Sequence, residues 1–158
     1  MGYELFTIGY EGASQMSLLK TLLYHDVEVI VDIREITLSR KPGLSKKGLT
    51  LAASDYKMKY IHVRALGTPR DIRYQRKIDH DQEAFREQYS AYLATQDEAV
   101  DALVSLAKEN RCCLLCYEAD ARVCHRWIVA ERVSSLTNGA VQPTHLEVMM
   151  PSKITPNS

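Results

Sequence analysis

The sequence lacks several features that would place it in a special class of protein. No apolar run approaches the ~20 residues of a membrane-spanning helix, and no basic and apolar leader precedes the first strand-like residues. Neither charge is in excess, because 20 Lys and Arg residues balance 20 Asp and Glu residues, so no global field attracts nucleic acid or membrane. The four cysteines all lie within residues 112–124, unlike a disulfide framework. We therefore expect a cytoplasmic protein with reduced thiols.

The composition that remains is that of an ordinary globular domain. Hydrophobic residues make up 46% of the chain and charged residues 25%, and 158 residues are enough to bury one core. No internal repeat or low-complexity linker divides the chain. Residues 149–158 contain two prolines and no apolar pattern beyond two methionines. We expect a single α/β domain over residues 1–148 and a flexible C-terminal tail over residues 149–158.

Strand and helix patterns alternate along the chain. Apolar segments predict five strands, at residues 4–8, 27–33, 59–63, 112–116 and 142–148. Helical periodicity predicts a helix after the N-cap Ser14, a short helix over residues 49–55, another over residues 81–94, one from a capping box at residues 95–98, and one after Cys124. The alternation favours a Rossmann-like, doubly wound α/β fold with a mostly parallel sheet of about five strands and flanking helices.

Polar side chains follow the predicted strands at their carboxyl ends. In a parallel sheet these ends share one rim, where ligands bind. The residues concerned are Gly9, Tyr10 and Glu11 after the first strand, Asp32 and Arg34 after the second, His62 and Arg64 after the third, and Cys116 and Glu118 after the fourth. Their convergence indicates a functional site at this rim.

Residues 111–127 are the centre of that site. Here a buried strand ends in Cys116 and Glu118, and a helix begins near Cys124, His125 and Arg126. We predict that Arg34, Arg64 and Arg126 bind a phosphate or carboxylate, helped by the free N–H groups of the helix start. Glu118 would act as acid or base, Asp32 and His125 would orient groups or transfer protons, and Cys116 and Cys124 would line the site. Alternatively, Asp32–Arg34 and Glu118–Arg126 are ion pairs that only neutralise buried charge.

Several blocks of the sequence together resemble the domain-of-unknown-function 488 family. The blocks run in the same order over about residues 4–148, and Leu66-Gly67-Thr68-Pro69 differs slightly from the family's Leu-Gly-Asn-Pro or Leu-Gly-Gly form. The resemblance implies a small cytoplasmic bacterial or archaeal α/β domain and implies no reaction. The blocks are Thr7-Ile8-Gly9-Tyr10-Glu11-Gly12, Val31-Asp32-Ile33-Arg34, Ser39-Arg40-Lys41-Pro42-Gly43, Leu66-Gly67, Phe85-Arg86-Glu87-Gln88-Tyr89, and Cys116-Tyr117-Glu118 with Cys124-His125-Arg126.

The cysteines admit two further interpretations. Cys116 and Arg122 have the Cys-x5-Arg spacing of phosphatases and rhodaneses, but the loop between them carries acidic residues and no glycine. A Cys116–Cys124 redox couple lacks the Cys-x-x-Cys spacing, whereas Cys113 and Cys116 have it but should point to opposite faces of a strand. A metal site of Cys116, Cys124 and His125, with or without Glu118, is chemically acceptable for zinc, although adjacent Cys124 and His125 rarely reach one ion together.

Two basic segments complete the candidate features. We expect residues 39–47 to be an exposed loop and residues 70–77 to be a loop or a frayed turn, and we expect both segments either to bind nucleic acid or to cover an anionic pocket. The sequence thus predicts an enzyme that acts on a phosphate- or nucleotide-containing ligand. The alternatives are a noncatalytic ligand- or nucleic-acid-binding module and a Cys/His metal-binding protein.

Overall fold

The predicted parallel sheet is confirmed. A computed structural model describes residues 2–150. Their five strands form one sheet in which every pairing is parallel, in the order β3-β2-β4-β1-β5. The strands are β1 (Tyr3–Gly9), β2 (Val29–Asp32), β3 (Lys59–His62), β4 (Cys112–Cys116) and β5 (Val141–Leu146). Most of the predicted tail, residues 151–158, lies outside the described residues, so the domain limits stay a prediction.

Six α-helices flank the sheet within the described residues. They are α1 (Gln15–Tyr24), α2 (Lys46–Asp55), α3 (Arg70–Asp79), α4 (Gln82–Leu93), α5 (Asp97–Glu109) and α6 (His125–Leu136). Short 3-10 helices occupy Arg64–Leu66 and Ala121–Val123. Ser14 caps α1 as predicted, because its side chain accepts a hydrogen bond from the N–H of Ser17. Among these helices none is both long and apolar enough to span a membrane.

Three local predictions were wrong. Residues 70–77 are not a loop but most of α3, which buries none of its residues and so has no apolar stripe to reveal it. Helix α2 begins at Lys46, inside the predicted basic loop. The capping box does not form, because the Thr95 hydroxyl donates back to the carbonyl of Tyr92 and Gln96 takes the N-cap position.

The core consists of two layers, one on each face of the sheet. Helices α1 and α2 cover one face, and α4, α5 and α6 cover the other. The residues of β4 alternate between these layers: Cys112, Leu114 and Cys116 belong to one and Cys113 and Leu115 to the other. The predicted separation of Cys113 from Cys116 is therefore confirmed.

This arrangement creates a crevice between β1 and β4. The two strands are neighbours in the sheet. The chain leaves β1 for α1 on one face, and it leaves β4 for α6 on the opposite face. A crevice opens where the chain leaves adjacent parallel strands toward opposite faces. The site predicted from residues 111–127 lies at this point.

Candidate functional site

The segments that follow β1 and β4 continue to pair beyond the strands. The N–H of Tyr10 donates to the carbonyl of Cys116 at 3.2 Å, and the N–H of Glu11 donates to the carbonyl of Tyr117 at 2.8 Å. Gly9 makes this approach possible, because a Cβ at that position would lie 1.7 Å from the carbonyl oxygen of Glu118. The predicted site residues Gly9 and Glu11 thus support the loop that carries Glu118.

Arg126 also supports the loop that carries Glu118. Its side chain is fully buried, with Nε donating to Thr7 Oγ1 at 3.1 Å and Nη2 to the carbonyl of Ala119 at 3.1 Å, while Nη1 donates to the carbonyl of Glu118. All three nitrogens of the guanidinium group therefore donate to protein oxygens. Arg126 meets the backbone of Glu118 rather than its carboxylate, so the alternative of a Glu118–Arg126 ion pair is not formed.

Asp32 and Arg34 form a buried ion pair with 2.7 Å between Asp32 Oδ2 and Arg34 Nη2. The hydroxyl of Tyr60 also donates to Asp32 Oδ2, while Arg34 Nη1 donates to the hydroxyl of Tyr10 at 3.0 Å and to the carbonyl of Leu44 at 2.8 Å. Burial opposes the charge of Arg34, yet Asp32 holds the pKa of the guanidinium above its usual value. Burial, then Asp32, raises the pKa of Tyr60. Asp32 therefore fixes Arg34 in position and keeps it charged.

A cavity of about 180 Å³ opens above this network. Three arginines line it, Arg34, Arg73 and Arg76, together with His125 and the two acids Glu35 and Glu118. Of the other predicted site residues, Tyr10 lines the cavity, Asp32, Cys116, Cys124 and Arg126 are buried behind its wall, and Arg64 is exposed in a 3-10 helix and does not line it. Asp32 and Arg126 thus do not line the cavity with Glu118: Asp32 pairs with Arg34, which does, and Arg126 donates to the backbone of Glu118.

Glu118 is the titratable group best placed to act in this cavity. Its carboxylate lies 3.6 Å from Nη1 of Arg76, and the side chain remains partly exposed. Burial, followed by the negative charge of the neighbouring Cys124 thiolate, raises the pKa of Glu118 to about 7. A carboxyl group in this range both accepts and donates protons near neutral pH.

Beneath Glu118 lies a buried cluster of Cys116, Cys124 and His125. His125 Nδ1 is 3.6 Å from Cys116 Sγ and 3.8 Å from Cys124 Sγ, while Nε2 lies 2.7 Å from the carbonyl of Ile33. A carbonyl only accepts, so Nε2 carries a proton. Burial alone would raise the pKa of Cys124, but the Cys116 hydrogen bond and the charges of His125 and Arg126 hold it well below its usual value. Burial raises the pKa of Cys116.

The cluster can also offer ligands to a metal. One ligand atom from each of Cys116, Cys124 and His125 lies within 4.8 Å of the others. Adjacent Cys124 and His125 converge because Cys124 is the extended N-cap of α6 and His125 its first residue, so the chain bends between them. Cys116 Sγ is equally distant, 3.6 Å, from both ring nitrogens. Cys116 Sγ therefore lies away from the direction in which the lone pair of Nδ1 points. The Cys116 side chain must rotate before Cys116 Sγ and His125 Nδ1 can bind the same ion.

The Cys-x5-Arg interpretation gains nothing from this geometry. Arg122 is exposed and pairs with Asp120 at 3.2 Å, whereas Cys116 is fully buried. The two do not form the oxyanion cradle that this chemistry requires.

Sequence reasoning missed the roles of Arg73, Arg76 and Tyr60. Both arginines were recognised as part of a basic segment, but their helix was not, and the helix is what turns them toward Glu118. Tyr60 occupies an ordinary strand position, and its bond to Asp32 depends on the pairing of β2 with β3. The spacing of arginines at positions 70, 73 and 76 was the one available signal for the helix.

Comparison with known proteins agrees with the predicted resemblance. A family model described as "Domain of unknown function DUF488" matches residues 16–133. This span contains Asp32, Arg34, Glu118 and the Cys124–Arg126 segment, and it is narrower than the resemblance over residues 4–148 because β1 and β5 fall outside it. No curated protein and no solved structure matches the chain. Since the match covers well over half of the chain, the protein belongs to the DUF488 family.

Proposed function

We propose that the protein is an enzyme that acts on a phosphate- or nucleotide-containing ligand in the cavity at the carboxyl ends of the strands. The observation that carries this proposal is the convergence of Arg34, Arg73 and Arg76 on the cavity that Glu118 also lines. Guanidinium groups match the geometry and charge of phosphate. A carboxyl group beside them is positioned to transfer a proton to or from a bound anion.

The three arginines contribute differently. Arg34 is committed to Asp32, Tyr10 and Leu44, and Asp32 balances its charge, so it shapes the cavity wall and offers few free donors. Arg73 is held by Nε on the carbonyl of Thr68 at 3.1 Å and by Nη2 on Glu35 at 2.5 Å. Its Nη1 has no acceptor among the described residues and remains available to a ligand.

The size of the cavity limits what it can hold. Typical small-molecule sites occupy about 300–1,000 Å³, and this cavity measures about 180 Å³. It accommodates a phosphate and little more, so the remainder of a nucleotide or sugar phosphate would extend outside. Glu118, at the cavity wall, would then face the ligand atom to which the phosphate is bonded.

The decisive experiment compares binding with turnover in Glu118→Gln. Inorganic phosphate, nucleotides and sugar phosphates are screened by calorimetry, and the ligands that bind are then assayed for conversion. We expect the variant to retain affinity and lose turnover by about 10²-fold or more. Glu109→Gln is the matched control, because this exposed glutamate lies beside a cavity at the amino ends of the strands, far from Glu118. Binding without turnover by the parent protein would instead indicate the noncatalytic module, and absence of any binding would refute the proposal.

A metal-binding protein is the second candidate, favoured by the ligand atoms of Cys116, Cys124 and His125 that lie within 4.8 Å of one another. Two thiolates and an imidazole suit zinc. Metal content is measured on protein purified without chelator or affinity tag. Stoichiometric zinc that is lost in Cys124→Ser and retained in Cys113→Ser would establish this function, since Cys113 is equally buried but on the other face of the sheet. Metal-free protein would eliminate it.

A further inference from the structure

A groove extends from the cavity along helix α3. A second cavity, of about 440 Å³, shares Arg73, Arg76 and Glu118 with the first, so the two adjoin. We call the combined depression the α3 groove. The larger cavity is lined by Arg70, Arg73, Tyr74, Arg76, Lys77, His80 and Glu118. The groove is therefore much longer than a single phosphate requires.

The α3 groove is strongly basic although the whole chain is neutral. Four of the seven residues that line its larger cavity are Arg or Lys, and Glu118 is the one acid among them. Arg70 and Lys77 make no ion pair with any described residue. They lie seven residues apart, on the same side of α3. Zero net charge argued against a nucleic-acid binder, but a cluster of positive charge on one face meets the electrostatic requirement locally.

The cations nearest to Glu118 are held in place before any ligand arrives. Arg73 is anchored by Thr68 and Glu35. The guanidinium of Arg76 lies 4.1 Å from the centre of the Phe85 ring and donates from Nη2 to Gln82 at 3.0 Å. Fixed donors of this kind lose little conformational entropy when they bind an anion.

Aromatic rings line the α3 groove at two positions. Tyr74, in the larger cavity, is 65% exposed, and Tyr117, in the smaller cavity, is 48% exposed. The ring of Tyr117 is supported edge-on by Tyr10, with 5.5 Å between ring centres. Exposed rings combined with a basic groove are the features by which proteins bind single-stranded nucleic acid, because unpaired bases stack on the rings.

We propose that the substrate of the Glu118 site is single-stranded nucleic acid, held along the α3 groove. Its phosphates contact Arg70, Arg73, Arg76 and Lys77, and bases stack on Tyr74 and Tyr117. This inference rests on the proposed function and names its substrate class. Duplex is disfavoured, because paired bases are already stacked on each other and offer no free face to either tyrosine.

Fluorescence anisotropy tests the proposal with labelled oligothymidylate and oligouridylate of about 12 nucleotides, within the common site size of about 4–16 nucleotides. We expect binding that is tighter than for the matching duplex.

Tyr74→Ala should weaken oligonucleotide binding about fivefold or more, whereas Tyr74→Phe should retain it, because stacking needs only the ring. Arg70→Ala and Lys77→Ala should each lower the slope of log affinity against log salt by about 0.7. These variants should fold normally because α3 buries no residue.

Two control variants are matched to these changes. Tyr24→Ala removes a tyrosine that is 71% exposed on α1, and the double variant Lys46→Ala/Lys47→Ala removes two charges from the other basic segment. Neither control should change oligonucleotide affinity.

The test separates this inference from the proposed function. If nucleotides bind and are turned over in a Glu118-dependent manner while oligonucleotides bind no better, the substrate class is wrong and the enzyme proposal stands. Equal loss of affinity in the two controls, or preference for duplex, also overturns the substrate class. If neither nucleotides nor oligonucleotides bind, both proposals fail.

Discussion

The carbonyl oxygen of Glu118 lies where a Cβ on Gly9 would have to be, 1.7 Å from the ideal position of that atom. The same Cβ would also lie 2.9 Å from Nη1 of Arg126. The loop that carries Glu118 is therefore seated directly on the backbone at the end of β1. This contact joins two distant parts of the chain into one site.

Gly9→Ala should disrupt the contact between the Glu118 loop and the end of β1. The neighbouring atom is backbone and cannot rotate away, so we expect a loss of about 1–3 kcal/mol or more in the free energy of unfolding, measured by urea denaturation. Gly2→Ala is the control, because the nearest atom to its Cβ is 4.0 Å away. Unchanged stability in Gly9→Ala would show that the loop is free to move off β1.

Removing Asp32 should be among the most damaging single changes at the site. Asp32→Ala leaves the nearly buried guanidinium of Arg34 without its carboxylate, and loss of one partner of a buried pair costs about 3–5 kcal/mol. Asp32→Ala/Arg34→Met should recover part of this loss because it removes both charges. Arg122→Ala, which breaks the exposed pair with Asp120 and keeps the backbone N–H that Asp120 caps, should leave stability unchanged. A double variant no more stable than Asp32→Ala would contradict the assignment.

Arg126→Lys tests whether the buried guanidinium positions the loop that carries Glu118. Lysine keeps the charge but cannot reach Thr7, Glu118 and Ala119 together, which Arg126 does through three nitrogens. We expect faster amide hydrogen exchange at residues 117–120, measured by mass spectrometry, and lower turnover with little change in ligand affinity. Arg111→Lys, at the amino end of β4, should leave exchange at this loop unchanged. Unaltered exchange in Arg126→Lys would show that other contacts keep residues 117–120 ordered.

His145 should contribute stability that is lost in mild acid. Burial, then the charge of Arg126, lowers the pKa of His145; Glu131 and Cys124 oppose the shift more weakly. The unfolded chain, in which the pKa is about 6.5, then binds the proton more readily. The contribution is fully present above about pH 6.5 and is lost as the pH falls through the lower folded value. Urea denaturation of the parent and of His145→Gln across pH 5–8 isolates this contribution, because Glu118, whose raised pKa stabilises the folded state as the pH falls, is present in both. The difference in the free energy of unfolding between the parent and His145→Gln should become less favourable to the parent as the pH falls.

Trp127 offers an independent readout of the same titration. It is the only tryptophan in the chain and stacks on His145 with 4.5 Å between ring centres. Protonation of the imidazole should quench its fluorescence, with a midpoint below the unfolded value. A midpoint at or above about pH 6.5 would contradict the lowered pKa.

The parallel sheet and its rim were predictable because both follow from local pattern. Apolar runs such as Cys112–Cys116 indicated strands buried on two faces, and alternation with helices indicated the parallel arrangement. The rim position of Asp32, Arg34 and Glu118 followed from strand direction alone. Helix α3 was missed because it buries none of its residues, and periodic burial is what makes a helix visible in a sequence.

What each side chain does at the rim depended on long-range packing. Arg126 and Arg34 looked equivalent as anion binders. Arg126, however, turns inward to backbone carbonyls, and Arg34 is tied to Asp32. Arg73 and Arg76 face Glu118 because α3 lies across the crevice. Sequence pattern reports the direction of a strand and the composition of its end, both of which are local. Which donor meets which acceptor is set by how distant elements pack, because a hydrogen bond forms only within a few tenths of an ångström of its ideal length.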